Sequence, residues 1–477
     1  MKTFITVIFC LFFSSAVSPQ STFKYLYSSP LDEISKSLFE DNDGDIYFAV
    51  KNYTYALIIK LDYEGSFLDS INISNPQGTC NLEELIKIDE DHFVALGDWT
   101  SDTISELWYV KFDNNLQVIE NKKLNSNGLY LFEMHHIINH NGNIVFTAQY
   151  NLTPGSEKDV CMYEITKEGD LIRSKFFYTT FIYNAAYSLL QDMHDSTYKV
   201  FAKSPLNNRV QCTLNIVDTN FNTIKHSNGL NSHINNNTSA RWINDSTYLL
   251  AGKWLFLSNG EWDLEILKIT RTDSILSNAY FGKQDTIDWP ATYESLDFIS
   301  PNNVFLAGSS NSYSFPFQNE PSWIMLNILD LNLNLKNQRF YGGDAFYLVN
   351  AILATQDSGC VLSCSRYDYL IQNEENDVYI LKVNQDGLLV STPENPIINT
   401  KAHYIYPNPG GDLLNINSPL DRLKVQLINL IGRMECEVEL SVGTNSISVS
   451  CLPAGVYLYR IMDKYQQIIQ SGKWIKL

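Results

Sequence analysis

Apolar and polar residues alternate along most of this chain in short runs, the period of half-buried strands, and turn-forming residues break the runs. One phrase recurs: an alternating strand, a short polar turn, then another strand. It reads LIIKLDYEGSFL at 57–68, WYVKFDNNLQVI at 108–119, CMYEITKEGDLI at 161–172 and TLNIVDTNFNTI at 213–224. It continues as LEILKITRTDSIL at 264–276, IMLNILDLNLNL at 324–335 and VYILKVNQDGLLV at 378–390. The first turn residues are Asp62, Asp113, Thr166, Asp218, Thr270, Asp330 and Asn384, spaced 51, 53, 52, 52, 60 and 54 apart.

A second phrase precedes each of these, a turn rich in Asp, Asn, Ser or Gly and then an apolar run such as DIYFAV at 45–50 or TYLLAGKW at 247–254. A further short strand lies upstream of each turn, as in LEELIKI at 82–88. Four antiparallel strands repeated at this length predict an all-β chain built as a seven-bladed β-propeller over 21–395. Radial packing buries both faces of a blade, which explains the near-continuous apolar second strands. The stretch FKYLYSS at 23–29 resembles the fourth-strand segments and precedes the first full triplet, so it is expected to complete the last blade and close the ring.

At the other end, residues 396–403 read as a linker, and 404–477 as a small Ig-like β-sandwich of short strands split by Gly and Pro. The motifs there are Tyr406-Pro407-Asn408-Pro409, a strand ending in Gly432, Leu452-Pro453-Ala454-Gly455-Val456-Tyr457, and the closing Lys473 and Lys476. This segment resembles the type A sorting domain of the Bacteroidota type IX secretion system. The resemblance implies periplasmic transit and delivery to the outer-membrane surface or beyond, with the type IX machinery as partner. Gly455 is expected to give the tight bend of a hairpin, and Pro407 and Pro409 an extended entry.

The N-terminus agrees. Residues 1–20 have a basic start at Lys2, an apolar stretch from Phe4 to Phe13 and a small-residue exit, the pattern of a secretory signal peptide. No later run is long enough for a transmembrane segment. With Lys+Arg 34 against Asp+Glu 53, the net charge of −19 argues against nucleic acid as a partner. Seven cysteines remain after the signal; the spacing gives no disulfide framework, although Cys436 and Cys451 could pair across a small sheet.

Chemistry is sparse. Asp41-Asn42-Asp43-Gly44-Asp45 resembles the opening of a calcium loop, but Ile46 and Asn52 stand where Gly and Glu are needed. The same turn recurs in other repeats, which favours a hairpin turn over calcium or any other cofactor. His135, His136 and His140 fall on a predicted strand and its turn, a poor arrangement for zinc. GxSxG and HExxH are absent. Length variation is concentrated in loops that open on one face, 97–106, 150–159, 253–262, 282–293, 309–322 and 366–376. Trp99, Trp254, Trp262, Trp289, Tyr313, Phe315 and Tyr367 lie there among amide and carboxylate groups, a composition suited to a glycan or to a protein partner. Binding without chemistry is the leading expectation. A polysaccharide-acting hydrolase or lyase and a structural adhesion component stay open. Two carboxyl groups about 5–10 Å apart in the central funnel would favour the enzyme.

Overall fold

The computed structural model describes residues 20–29, 31–51, 55–74, 78–101, 104–124, 126, 130–151, 158–177, 185–206, 209–227, 236–255, 260–300, 302–313, 316–371, 375–389, 404–406, 410–418, 423–429, 432–462 and 468–477. Nearly all of the expected signal segment lies outside this set. Among the described residues no helix is long and apolar enough to cross a membrane.

From Phe23 to Val383 the described residues form seven antiparallel sheets, six of four strands and one of five. The first blade holds Leu38–Glu40, Ile46–Lys51, Tyr55–Leu61 and Phe67–Ser74, from the axis outwards. Five more follow in the same order along the chain, with inner strands Gly78–Lys87, Tyr130–Ile138, Ala185–Gln191, Asn236–Asn244 and the broken pair Trp289–Pro290 and Leu296–Asp297. The last blade is Phe346–Ala354, Cys360–Tyr367 and Asp377–Val383, completed by Phe23–Tyr27. Phe23 pairs with Lys382 and Tyr27 with Val378, so the first strand of the chain is the outer strand of the last blade. Each inner strand touches its neighbours, and Phe346–Ala354 touches Leu38–Glu40, which closes the circle. The fold is a β-propeller.

The core is divided the same way. Seven apolar clusters occupy the gaps between adjacent blades, such as Phe23, Tyr25, Phe48, Ile59, Val361 and Ile380 between last and first. Second strands feed two gaps at once, and Val304–Ser310 is buried at every position.

The repeated turn residues have a common job. At Asp62, Asp113, Thr166, Asp218, Asp330 and Asn384 the side-chain oxygen accepts the amide N–H groups two and four residues on, and at Thr270 the one four on. The residue three positions on is always left-handed: Gly65, Leu116, Gly169, Phe221, Asp273, Leu333 and Gly387. Leu116, Phe221 and Leu333 are nonetheless buried, so apolar contact outweighs the cost of a positive φ there. At Gly65 a Cβ would lie 2.3 Å from the Phe23 ring, and at Gly169 2.8 Å from Tyr109.

The C-terminal residues form two further sheets, Tyr404–Tyr406, Leu413–Ser418 and Gly443–Ser448, and Met434–Leu440, Leu423–Asn429, Gly455–Met462 and Ile468–Lys476. They share their own core around Trp474, Leu414, Val425 and Ile461. Leu452 and Tyr457 are buried, and the Tyr457 hydroxyl donates to the Pro453 carbonyl at 2.8 Å. Lys476 pairs with Asp412 at 2.7 Å. Gly455 differs from expectation: it opens a strand, and the left-handed glycines are Gly432 and Gly443. Tyr406 belongs to a strand, while Pro407, Asn408 and Pro409 lie outside the described residues. The seven cysteines from Cys80 to Cys451 are free thiols, Cys436 and Cys451 included.

Candidate functional site

Two regions gather chemistry. The first is the wide-loop end of the blades, where the sequence singles out aromatics. Strands run further into this region than the pattern suggests. Trp99 sits in the ladder opposite Glu106, Trp254 opposite Asp263, and Trp262 opposite Leu255. Their faces are covered from within the chain. The Lys123 ammonium lies 4.1 Å from the Trp99 ring centre, and Trp99 meets the buried Trp108 edge-on at 5.4 Å. Trp262 and Trp289 stack at 6.0 Å with the Lys253 ammonium 4.4 and 3.2 Å from their centres. Trp254 packs against Tyr280 at 6.4 Å.

Tyr367 is 2% exposed beneath Phe317, too enclosed to meet a ligand. Tyr313 is 48% exposed, on a loop pinned by Gln318, whose side chain accepts the Tyr313 N–H and donates to the Asn311 carbonyl. Phe315 lies outside the described residues. Buried Asp288 joins the two longest loops, accepting the N–H groups of Lys283 and Asn311. Its charge and that of Glu261 add to burial in pushing the Asp263 carboxyl up to about 6.

The second region is the central channel, which the sequence reading did not assign. Five inner strands carry a register shift, between Leu82 and Glu84, Phe132 and His135, Ala186 and Ser188, Asn237 and Ser239, and Val349 and Ala351. An extra residue interrupts the alternation of faces, so consecutive side chains can serve the blade interface and the channel in turn. Glu83 is fully buried in the interface, held by Lys36 and by Lys51 at 2.6 Å, and accepts the Glu133 N–H at 3.1 Å. Burial alone would raise its pKa, but the two ammonium groups outweigh that and hold it down at about 2.

The next residue, Glu84, meets His136 at 3.1 Å and the Ser37 hydroxyl at 3.3 Å. Arg241 reaches Asp297 at 3.3 Å and Glu294 at 3.8 Å. Arg241 and Glu294 keep 45% and 31% of their side-chain surface open, although their blades face the axis. Enclosure lifts the Glu294 carboxyl to about 8; Asp297 and Glu84 add to this and Arg241 opposes it. Glu84 lies near enough to Arg241 and Glu294 for its charge to act on both. First, second and third blades thus bring Ser37, Glu84 and His136 into one contact group near the axis, and the fifth and sixth bring Arg241 and Glu294 into another that the charge of Glu84 reaches.

The candidate metal groups resolve differently. Asp41 accepts the N–H groups of Asp43 and Asp45, and Lys60 lies 3.0 Å from Asp45 and 3.7 Å from Asp41, so the turn carries its own cation. His135 is buried with its pKa lowered by burial, His136 pairs with Glu84, and the His140 N–H donates to Gln191.

Residues 404–476 match the family described as Secretion system C-terminal sorting domain. The chain therefore carries a type IX export address, for secretion or display at the cell surface. No curated protein matches the sequence. Among solved structures, a catalytically inactive virginiamycin B lyase from Staphylococcus aureus with quinupristin is similar over 76% of this chain and 100% of that one, with 9% identity and a TM-score of 0.43. Drosophila plexin A in complex with semaphorin 1b is similar over 76% of this chain and 86% of that one, with 7% identity and a TM-score of 0.45. An α-L-arabinofuranosidase, Arb93A of Fusarium graminearum, covers 76% and 97%, with 9% identity and a TM-score of 0.41.

Proposed function

Starting from a chain that ends in a secretion sorting domain, we propose an exported seven-bladed propeller that binds a hydroxyl-rich ligand, a glycan, in its central channel. The observation that carries this reading is the convergence of Glu84, His136, Arg241 and Glu294, with open surface remaining on Arg241 and Glu294. A guanidinium, a carboxylate, an imidazole and an uncharged carboxyl offer donors and acceptors in alternation, which suits vicinal hydroxyls. The tryptophans of the wide-loop face serve the fold first, since Trp99, Trp262 and Trp289 already hold lysines and Trp254 packs on Tyr280. Among the described aromatics of these loops, Tyr313 has the most surface to lend as an outer contact.

Affinity electrophoresis of residues 20–477 through gels holding a polysaccharide panel tests this. Retardation by one polymer is expected, weakened roughly 10- to 100-fold by Arg241→Ala and little changed by Trp99→Phe. Equal weakening by both, or none by Arg241→Ala, refutes the channel as the site. A second reading has one specific observation behind it: Glu294, whose carboxyl is lifted to about 8 by enclosure, lies within reach of the charge of Glu84. An acid and a base poised this way suit hydrolysis of a glycosidic bond. Clearing of the polymer along the track, abolished by Glu294→Gln, would establish that reading instead.

A further inference from the structure

Ring closure leaves an unusual group of oxygens where the chain enters the first blade. Glu33 is fully buried, and its main-chain N–H donates to the Asn376 carbonyl at 3.0 Å, which fixes the two residues side by side. One carboxylate oxygen, Oε1, accepts the Ser29 hydroxyl and lies 3.5 Å from the Tyr55 hydroxyl. The other, Oε2, has no partner. Asn376, 2% exposed, is oriented by Asp32, whose carboxylate takes both its N–H at 3.1 Å and its side-chain amide at 2.8 Å. That leaves the Asn376 amide oxygen turned away from Asp32, buried and without a partner. Ser35, two residues along the extended entry segment from Glu33, has a buried hydroxyl in the same condition.

The Glu33 and Asn376 oxygens are acceptors only and cannot satisfy one another, and the Ser35 hydroxyl, which could donate, makes no hydrogen bond to either. Burying them unmatched costs free energy, and native folds pair nearly all such groups. The surroundings are acidic: Asp377 adds a like charge that, after burial, helps lift Glu33 to about 7. Arg366 is the guanidinium facing Asp377, and it is engaged with Asp344, Asp368 and the Tyr347 hydroxyl. Among the described residues no three His, Cys, Asp or Glu side chains gather as a metal cluster, so any ion held here draws amide, hydroxyl or main-chain oxygens into its donor set beside the carboxylate. Carboxylate, amide and hydroxyl oxygens are the donor set of a hard cation, and a set partly completed by water suits calcium better than magnesium.

We infer that Glu33 and Asn376, with Asp32 and Ser35 around them, hold a calcium ion that clasps the entry segment of the first blade to the last blade. The site differs from the Asp41 turn, whose charge Lys60 answers. Its place in an exported protein fits the weak calcium sites of extracellular modules, which fill at about 0.1–1 mM.

The test uses chelator-treated residues 20–477 and calcium chloride as the probe. Thermal unfolding in 2 mM calcium should run about 3–6 °C above unfolding in EDTA. Glu33→Gln should fold and lose that shift, because it removes the charge and keeps the shape. Terbium in place of calcium should luminesce through Tyr55 and Tyr27, whose hydroxyls lie 3.4 Å apart beside Glu33. This second readout uses the unmutated chain and stands even where the variant fails to fold. No shift and no luminescence would overturn the inference and leave Glu33 holding a proton. An equal shift in Glu33→Gln would overturn it too, by placing the ion elsewhere.

Discussion

At the scale of single residues, the fold depends on a few buried charges and turn positions. Glu83 is the clearest case, a carboxylate sealed between blades with Lys36 and Lys51 upon it. Its folded pKa of about 2 lies below the ordinary value of 4.5. The ionised form is therefore favoured by folding. The stability this supplies is complete above about pH 4.5 and is lost as pH falls from there towards 2. Glu83→Gln should lower stability at pH 7 by about 3–5 kcal/mol, since Lys36 stays buried without its counter-charge. It should also flatten the acid limb of the urea midpoint measured from pH 5 to 3. An unchanged limb would mean that other carboxylates carry it. Gly65→Ala should cost about 1–3 kcal/mol, because a Cβ there meets Phe23 and the backbone is left-handed. Glu294 titrates on the opposite side. Its carboxyl is protonated below about pH 8, so ligand binding in the channel should fall as pH rises through 8, and Glu294→Gln should abolish that dependence.

At the scale of elements, the strand Phe23–Tyr27 decides whether the ring closes. It covers the edge of Asp377–Val383, and its Phe23 and Tyr25 belong to the cluster between last and first blades. Deleting residues 20–29 exposes that edge and opens a cluster, so the chain should melt at least about 10 °C lower and should be cut by trypsin in the last blade first. A melt within about 2 °C of the parent would show that the ring closes without it. The strand was legible in the sequence because FKYLY has the alternation of the other outer strands. The seven turn residues were legible for the same kind of reason, since one hydrogen-bonding task calls for a short side-chain oxygen, from Asp, Asn or Thr, at spacings of 51 to 60 residues. The channel was not. A bulge breaks the period-two pattern near these positions, and Glu84, His136, Arg241 and Glu294 follow one another at 52, 105 and 53 residues with nothing in common but the axis. The lysines over the tryptophans were hidden likewise, because Lys123 meets Trp99 from two strands away. Gly455 differs for a simpler reason: a glycine that opens a strand and one that makes a bend look alike in sequence.

At the scale of the whole molecule, two sets of sheets keep separate cores. Every apolar cluster of the propeller draws on residues between Phe23 and Val383, and the cluster around Trp474 draws on Leu414 to Trp474 alone. Stability that resides in unshared clusters is additive, because no side chain serves both. The charge is divided as well. Residues 401–477 carry five Lys and three Arg against six acids, a net of +2, so the remaining residues hold about −21 of the total −19. An acidic exported body and a weakly basic address segment have different tasks. Stopping the chain at residue 395 should therefore leave the melting temperature of the propeller within about 2 °C of its value in the full chain, and ligand retardation unchanged, while export from the producing cell is lost. Calorimetry of the full chain should show two transitions, and the truncated chain should keep one of them at its original temperature. A single cooperative transition that shifts on truncation would mean the two cores support each other, and the division of labour between binding body and address would then fail.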